Sequence, residues 1–207
     1  MAEANYHEAN FTENSAAPYE PDARYSHCSS LVTDAGNLKW ITYGGYVKSG
    51  KQQHAELLVS PGFVEVFDIT DRRWKKDMIA GASCAPLLPT IGVATASIGY
   101  SIYYFGGSNG QGMWSNELYC LDTRANRRSK LTPKSQRLSP MAKHRAVMIT
   151  YGTLLVIYGG YGPLPAIRHP NVQYEEHQIY RGMCWTNELV CYDNRQSKSV
   201  YTARTEL

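Results

Sequence analysis

Three stretches of the chain repeat one hydrophobic pattern, a run of β-branched and aromatic residues that stops at two consecutive glycines. The runs lie within residues 39–43, 101–105 and 154–158, and the glycines are Gly44, Gly45, Gly106, Gly107, Gly159 and Gly160. A run that is apolar on both faces is typical of a strand buried between stacked sheets. The glycines allow the chain to bend, or to approach other backbone, where a Cβ atom would obstruct it. The pattern therefore predicts a repeat protein.

A second shared stretch follows each glycine pair. Residues 116–122 and 187–193 both begin Asn-Glu-Leu and end in aspartate, and residues 63–68 form a diverged first copy. Their alternation of side chains is that of a strand, and a fourth strand is expected after a polar turn. Four strands per unit predict the blades of a β-propeller, at about residues 24–79, 90–131 and 144–203.

The composition agrees with an all-β protein. The chain has 207 residues, of which 12% are aromatic, only 19% are charged and 17 are glycine, a balance typical of sheets and turns. Prolines and glycines interrupt its most apolar region, which argues against a membrane-spanning helix. We therefore expect no membrane partner and a single domain over residues 23–207.

Residues 1–22 differ from the rest of the chain. They carry five acidic residues, no lysine or arginine, and no strand periodicity. We expect them to form a disordered acidic tail. No charged-then-apolar leader opens the chain, so the expected compartment is reducing, cytoplasmic or nuclear.

Three blades are fewer than a closed propeller requires, since closed rings contain about four to eight. An open arc would expose an apolar sheet face at each end. We expect either further blades, because the sequence stops where a fourth blade would begin, or a second chain that completes the ring. The isolated chain should associate or fold poorly.

The residues that could carry enzymatic chemistry do not form a recognisable constellation. The six histidines show no close metal-ligand pairing, and the best cluster, His169 with His177 and Cys184, lies on a predicted loop. There is no phosphate-binding glycine loop and no nucleophile elbow. The five cysteines contain no Cys-x-x-Cys pair, and we interpret them as small buried residues. We expect no enzyme, no metal and no cofactor.

Positive charge is concentrated between positions 124 and 145. Eight cationic residues occur there without an intervening acid: Arg124, Arg127, Arg128, Lys130, Lys134, Arg137, Lys143 and Arg145. Such a run could bind nucleic acid, but it joins two predicted blades and lacks interleaved aromatic residues. We expect a solvated face between blades, with Arg128 exposed, and no nucleic-acid partner.

The paired glycines and the Asn-Glu-Leu strands resemble the kelch-repeat β-propellers. Residues 43–46, 74–76, 119–122 and 158–165 are similar to a subfamily that serves as substrate receptors of cullin-RING ubiquitin ligases. These receptors read the last residues of target proteins. The resemblance covers about residues 24–193, and it implies a protein-interaction module whose partners are protein or peptide C-termini.

The resemblance also implies a peptide-binding site. Tyr46 and Tyr161 match pocket tyrosines, Arg145 stands where the subfamily has a lysine, and Trp185, at the start of a third strand, matches a pocket tryptophan. These residue types suit a terminal carboxylate flanked by aromatic walls. The subfamily's main carboxylate-binding arginines and its cullin-docking segment have no counterpart in this sequence. A generic kelch scaffold that binds partners through its loops is the alternative interpretation.

Overall fold

The computed structural model describes residues 19–48, 56–58, 62–79, 91–132, 139–195 and 198–201, and every structural statement below concerns these residues. They contain eighteen β-strands and no helix. Most of the predicted acidic tail, together with Lys134 and Arg137, lies outside them.

The strands have the following bounds. In chain order they are β1 (Arg24–Tyr25), β2 (Cys28–Asp34), β3 (Asn37–Tyr43), β4 (Tyr46–Lys48), β5 (Glu56–Leu58), β6 (Phe63–Asp68), β7 (Arg73–Met78), β8 (Ala94–Ile98), β9 (Ser101–Phe105), β10 (Leu118–Asp122), β11 (Arg127–Leu131), β12 (Val147–Tyr151), β13 (Leu154–Tyr158), β14 (Tyr161–Pro163), β15 (Tyr174–Glu176), β16 (Met183–Thr186), β17 (Leu189–Asp193) and β18 (Lys198–Tyr201).

Three four-stranded antiparallel sheets form the blades. Their strand orders are β2-β3-β6-β7, β8-β9-β10-β11 and β12-β13-β17-β18, so each blade is a simple meander. This architecture confirms the predicted all-β propeller with an incomplete ring. The run that ends at each glycine pair is the second strand of its blade, enclosed by neighbours on both sides.

Two smaller sheets, which we call the rim sheets, arise from the long connections of the first and third blades. Their orders are β1-β4-β5 and β14-β16-β15. Trp185 was expected to open the third strand of its blade, and this expectation is wrong, because it lies in β16 of a rim sheet. The chain bends at Asn187 and Glu188, where Gly159 N–H donates to the Glu188 carbonyl and Thr186 N–H donates to the Gly160 carbonyl.

The apolar cores lie between blades. The first and second blades enclose a cluster that includes Val32, Ile41 and Val66 from one blade and Ile102 and Leu121 from the other. A second cluster joins the second and third blades: Ala94, Ala96, Tyr103, Phe105, Leu118, Met148, Leu155, Ile157, Val190 and Tyr192. Because each blade packs on its neighbour, the hydrophobic effect holds the arc together face to face.

Close backbone approach explains the paired glycines. Gly106 has φ +70°, and a Cβ atom built on it would lie 2.3 Å from the Lys143 carbonyl oxygen. Gly107 N–H donates to that same oxygen at 2.8 Å. At the third blade, a Cβ on Gly160 would lie 2.9 Å from the Lys143 side chain. The segment that enters the third blade therefore runs directly against both glycine pairs.

A buried ion pair anchors this entering segment. Lys143 is fully buried, and its Nζ lies 2.6 Å from Glu188 Oε2. Glu188 also accepts the Met141 backbone N–H. Burial lowers the pKa of Lys143, and the Glu188 carboxylate acts in the opposite direction. The buried Lys143–Glu188 ion pair thus links the segment that enters the third blade to the segment just before β17.

The predicted solvated basic face is therefore wrong at two positions. Besides Lys143, Arg128 is only 8% exposed, and its guanidinium lies over the Tyr43 ring at 5.3 Å. Arg124, by contrast, is exposed and bonds Asp34 of the first blade at 2.7 Å. Their long aliphatic stems allow Lys and Arg to enter a blade interface when an anion or an aromatic ring lies there to pair with the charged group. A run of charged residues in the sequence does not show whether such a partner is present.

Replacing Gly106 by alanine should destabilise the protein by at least about 3 kcal/mol, because the new Cβ would meet backbone that cannot move aside. Gly152→Ala is the matched control. Gly152 has φ +59° and open space around it, so its cost should be the left-handed backbone alone, about 1 kcal/mol. Urea unfolding of both variants measures the difference, and equal losses would contradict the packing argument.

Lys143→Met should destabilise the protein by about 3–5 kcal/mol, because it leaves the Glu188 carboxylate buried without a cation. The double variant Lys143→Met/Glu188→Gln should recover much of that loss, since a neutral amide can still accept the Met141 N–H. Denaturant midpoints at pH 7 test this. A double variant no more stable than the single one would show that Lys143 acts through packing alone.

Candidate functional site

The candidate site lies on the rim where the chain leaves each glycine pair. Tyr46, Ser108 and Tyr161 follow the three pairs and occupy equivalent positions. Each pairs with a residue just before its blade's first strand: Tyr25 with Tyr46, Ile91 with Ser108, and His144 with Tyr161. Variation of side chains at these equivalent positions gives each blade a different rim chemistry.

A backbone ladder links the blades immediately beside these pairs. Ser26, Gly92 and Arg145 are equivalent and have φ of 56°, 59° and 56°. Gly92 N–H donates to the Ser26 carbonyl at 3.0 Å, and Arg145 N–H donates to the Gly92 carbonyl at 2.7 Å. A left-handed conformation costs a residue with a Cβ roughly 1–2 kcal/mol. Arg145 therefore occupies a strained position at which glycine would be favoured, and it is exposed there.

Tyr161 and Trp185 form the centre of an aromatic cluster. They are paired across β14 and β16, and their ring centroids are 4.5 Å apart. Trp114 lies 6.0 Å from Tyr161 and 4.6 Å from the His144 ring. His177 packs against Tyr161 on another side at 5.8 Å. Trp185 is 42% exposed, so the cluster presents an aromatic surface to solvent.

Trp114 was not identified from the sequence, although a signal for it exists. The stretch Trp114-Ser115-Asn116-Glu117 repeats as Trp185-Thr186-Asn187-Glu188. In both copies the hydroxyl before the asparagine accepts the glutamate N–H, at 3.0 Å. Both tryptophans also pair with the residue that follows the glycine pair. Extending the Asn-Glu-Leu match by two residues toward the N-terminus would have identified Trp114 as the equivalent of Trp185.

His144 joins the cluster as a neutral, apolar-facing ring. Neither of its ring nitrogens has a hydrogen-bond partner among the described residues. Burial, with a smaller contribution from the Arg145 charge, lowers the pKa of His144 to about 4. At neutral pH the imidazole is therefore uncharged. Arg145, by contrast, supplies a positive charge to this part of the rim.

Arg145 also acts on Tyr161. Burial and the neighbouring Tyr180 and Cys184 raise the pKa of Tyr161, while the Arg145 charge acts in the opposite direction. The phenol therefore remains protonated and able to donate a hydrogen bond. A cation next to aromatic rings and a hydroxyl donor can hold a compact anion, with the rings contacting the chain that carries it.

Tyr46 lies apart from this cluster. Its ring stacks on Tyr25 at 5.4 Å. Its hydroxyl lies 2.0 Å from the position that a Cβ on Gly110 would occupy, so it touches the loop of the second blade. The structure thus brings Tyr161 and Trp185 into contact, with Arg145 beside them and Tyr46 at another blade junction. Peptide binding by these four residues stays a prediction.

The connection from β14 to β16 borders the cluster and exposes apolar side chains. Ile167 and Ile179 are both 79% exposed, and Tyr180 packs on His177 with ring centroids 4.8 Å apart. His177 Nδ1 accepts the N–H groups of Ile179 and Tyr180, which fixes this turn. This connection therefore adds exposed apolar surface to the rim.

Within the described ranges, no group of three or more His, Cys, Asp or Glu residues is placed to hold a metal ion. Over the same residues, the structure contains no helix with the length and apolar character needed to cross a membrane.

The profile of the KLHDC2/KLHL20/DRC7 kelch-repeats domain matches residues 3–200. The rat (Rattus norvegicus) Rab9 effector protein with kelch motifs is 28% identical over 139 residues, which are 66% of this chain and 34% of that protein. The solved structure of YjhT superimposes with a TM-score of 0.58 at 14% identity, over 90% of this chain and 57% of that one.

These matches agree with the geometry described above. The chain spans about a third of the curated relative and somewhat more than half of the solved structure. The similarity to YjhT supports the propeller fold alone, whereas the profile match covers nearly the whole chain and identifies a protein-interaction module. The chain belongs to the KLHDC2/KLHL20/DRC7 family of kelch-repeat domains.

Proposed function

We propose that this chain recognises the free C-terminal end of another protein, as part of a substrate receptor of a cullin-RING ubiquitin ligase. The observation that carries the proposal is the strained, exposed Arg145, whose charge acts on Tyr161 of the Tyr161–Trp185 pair. The kelch-repeat family, whose domains bind protein partners, supports the general class of function. The resemblance of Tyr46, Tyr161 and Trp185 to pocket residues of a C-terminus-reading subfamily, with Arg145 where that subfamily has a lysine, supports the specific one.

The physical argument concerns the charge that a chain terminus carries. A terminal carboxylate is a compact anion that is best held by charge-assisted hydrogen bonds. Arg145 supplies a permanent cation, and the protonated Tyr161 hydroxyl can supply a second donor. Trp185 and Trp114 offer flat apolar surfaces to the preceding residues of the peptide. Left-handed strain retained at a functional residue is consistent with such a role.

A second function is favoured by the exposed border of the site. Ile167 and Ile179 project into solvent beyond the aromatic cluster, and apolar loop residues of this kind can bind the surface of a folded protein. In that case the chain is a kelch scaffold without selectivity for free termini. The two functions differ in one requirement, because only a terminus reader needs the carboxylate.

The proposed location is the cytoplasm or nucleus. Cys28, Cys120 and Cys184 are free thiols. Unpaired cysteines are usual in a reducing compartment.

Arg145→Ala should weaken binding of a free-carboxylate peptide by roughly tenfold or more, since a charge-assisted hydrogen bond contributes about 1.5–3 kcal/mol. The probe is the tightest-binding member of a random peptide array with free C-termini, measured by titration calorimetry. The same peptide with an amidated C-terminus should bind weakly and should respond little to the substitution. Alanine keeps a Cβ at φ 56°, so the backbone strain is unchanged.

Arg127→Ala is the control for charge, because Arg127 is exposed on the outer strand β11. Arg128, although in the same run, is unsuitable since it is buried against Tyr43. Ile179→Ser tests the scaffold function at the border. Equal losses for the Arg145 and Arg127 variants, equal binding of free and amidated peptides, or no binder on the array would each reject the proposal.

A further inference from the structure

The rim sheet of the third blade presents one row of side chains to solvent. Residues that are partners across antiparallel strands lie on the same face of a sheet. Tyr161 and Glu175 are both partners of Trp185, so these three residues form a row across β14, β16 and β15. Cys184, next to Trp185 in β16, lies on the other face and is fully buried. We call the exposed set of three residues the rim row.

The rim row connects a positive charge to a negative one. At its β14 end, Tyr161 pairs with His144, and the charge of the following residue, Arg145, acts on Tyr161. At its β15 end lies Glu175, which is exposed on the edge strand of the sheet. Between them are the rings of Tyr161 and Trp185, in contact with each other. The proposed function uses the cation and the rings but gives Glu175 no role.

Glu175 differs from its neighbour Glu176 in how its charge is used. Glu176 lies on the opposite face, as the partner of Cys184, and it forms an ion pair with Arg168 at 3.2 Å. Among the described residues, Glu175 forms no ion pair and no side-chain hydrogen bond. The carboxylate of Glu175 is therefore available to a cation that comes from outside the chain.

Trp185 strengthens this end of the rim row as a site for a cation. Tryptophan is the side chain whose ring face attracts an ammonium or guanidinium group best. Trp185 is 42% exposed and is the direct cross-strand partner of Glu175. A cation placed over the indole ring can therefore reach the carboxylate at the same time. An exposed ion pair alone contributes little to affinity, but here the aromatic face adds to it.

The spacing of the strands indicates which part of a bound peptide would reach Glu175. Neighbouring strands lie about 4.8 Å apart, so Tyr161 and Glu175, at opposite ends of the rim row, are separated by about 10 Å. An extended peptide advances about 3.3 Å per residue. If its terminal carboxylate is held at Arg145 and Tyr161, its third or fourth residue from the end, by this rough spacing, lies near Glu175.

We propose that the rim row reads a second feature of its ligand, a lysine or arginine about three or four residues from the free C-terminus, and that Glu175 determines this preference. The inference rests on the proposed function, because the carboxylate held at Arg145 sets the register of the peptide. It goes beyond that function by naming the charge class of the partner. The partner is a protein whose chain end carries a cation close to its own terminal carboxylate.

The test is a charge scan of the free-carboxylate peptide that binds best on the array. Each residue before the terminal one is replaced in turn by lysine, alanine or glutamate, and affinity for the wild-type chain is measured by titration calorimetry. At about the third or fourth residue from the end, lysine should bind roughly three- to tenfold more tightly than alanine. Glutamate there should bind more weakly than alanine. Acetyl-lysine, which keeps the length of the side chain without its charge, should lose the gain.

Variants of the chain assign the preference to one carboxylate. Glu175→Gln should remove most of the preference for lysine, and Glu175→Lys should reverse it in favour of glutamate. Glu176→Gln is the matched control, because it removes the same charge from the adjacent residue on the opposite face. It should leave the preference unchanged. Circular dichroism checks that each variant keeps its sheet content, and the scan on the wild-type chain needs no variant at all.

The outcomes separate this inference from the function on which it rests. No preference for lysine at any position, a preference that survives Glu175→Gln, or an equal loss with Glu176→Gln would overturn the role of Glu175. If amidation of the peptide and Arg145→Ala still weaken binding in that case, the proposed function stands without this inference. Equal binding of free and amidated peptides would instead reject the proposed function and, since the register would be lost, this inference with it.

Discussion

The arc depends on one close contact, the Lys143 carbonyl lying where a side chain at Gly106 would be. Because the entering segment is held this close, its own side chains have little freedom. The Lys143 side chain is forced into the interior, where it needs an anion, and Glu188 supplies it. Glu188 lies between β16 and β17, where the chain passes from the rim sheet that contains Trp185 into the third blade. The Lys143–Glu188 pair therefore joins the entry of the third blade to the segment that follows the aromatic site.

Repetition explains why the site lies on the rim. The faces of the blades must match their neighbours, so their residues are constrained by packing, as at Ile102 and Leu155. The positions after the glycine pairs do not bear that constraint, and there the three blades carry tyrosine, serine and tyrosine. The same holds one ladder position away, where Ser26, Gly92 and Arg145 share a left-handed backbone. Arginine is a costlier choice than glycine at such a position.

The fold could be predicted from the sequence because its signals are local patterns of a few residues. Glycine pairs, runs apolar on both faces, and the Asn-Glu-Leu strands each follow from backbone geometry over a few residues, so blades and second strands could be predicted. The sequence was insufficient for Lys143 and Arg128, because whether a long cationic side chain finds Glu188 or the Tyr43 ring depends on contacts between distant residues. The strand of Trp185 was misplaced for a related reason, since the bend at Glu188 is set by an interaction with another segment. Trp114 was overlooked although its repeat was visible.

The exposed apolar residues of this chain separate into two kinds when each is compared with its equivalents in the other blades. Val147, Ile149 and Trp40 have equivalents that are buried between blades, so their exposure reflects the lack of a neighbouring blade among the described residues. Trp185 has Trp114 as its equivalent, and both lie on the rim, where no blade can cover them. Exposure of the first kind would be removed by any blade that packs on the face, whereas exposure of the second kind persists in any closed ring. The aromatic rim is therefore the surface that a closed ring leaves available to a ligand, and the blade faces are not.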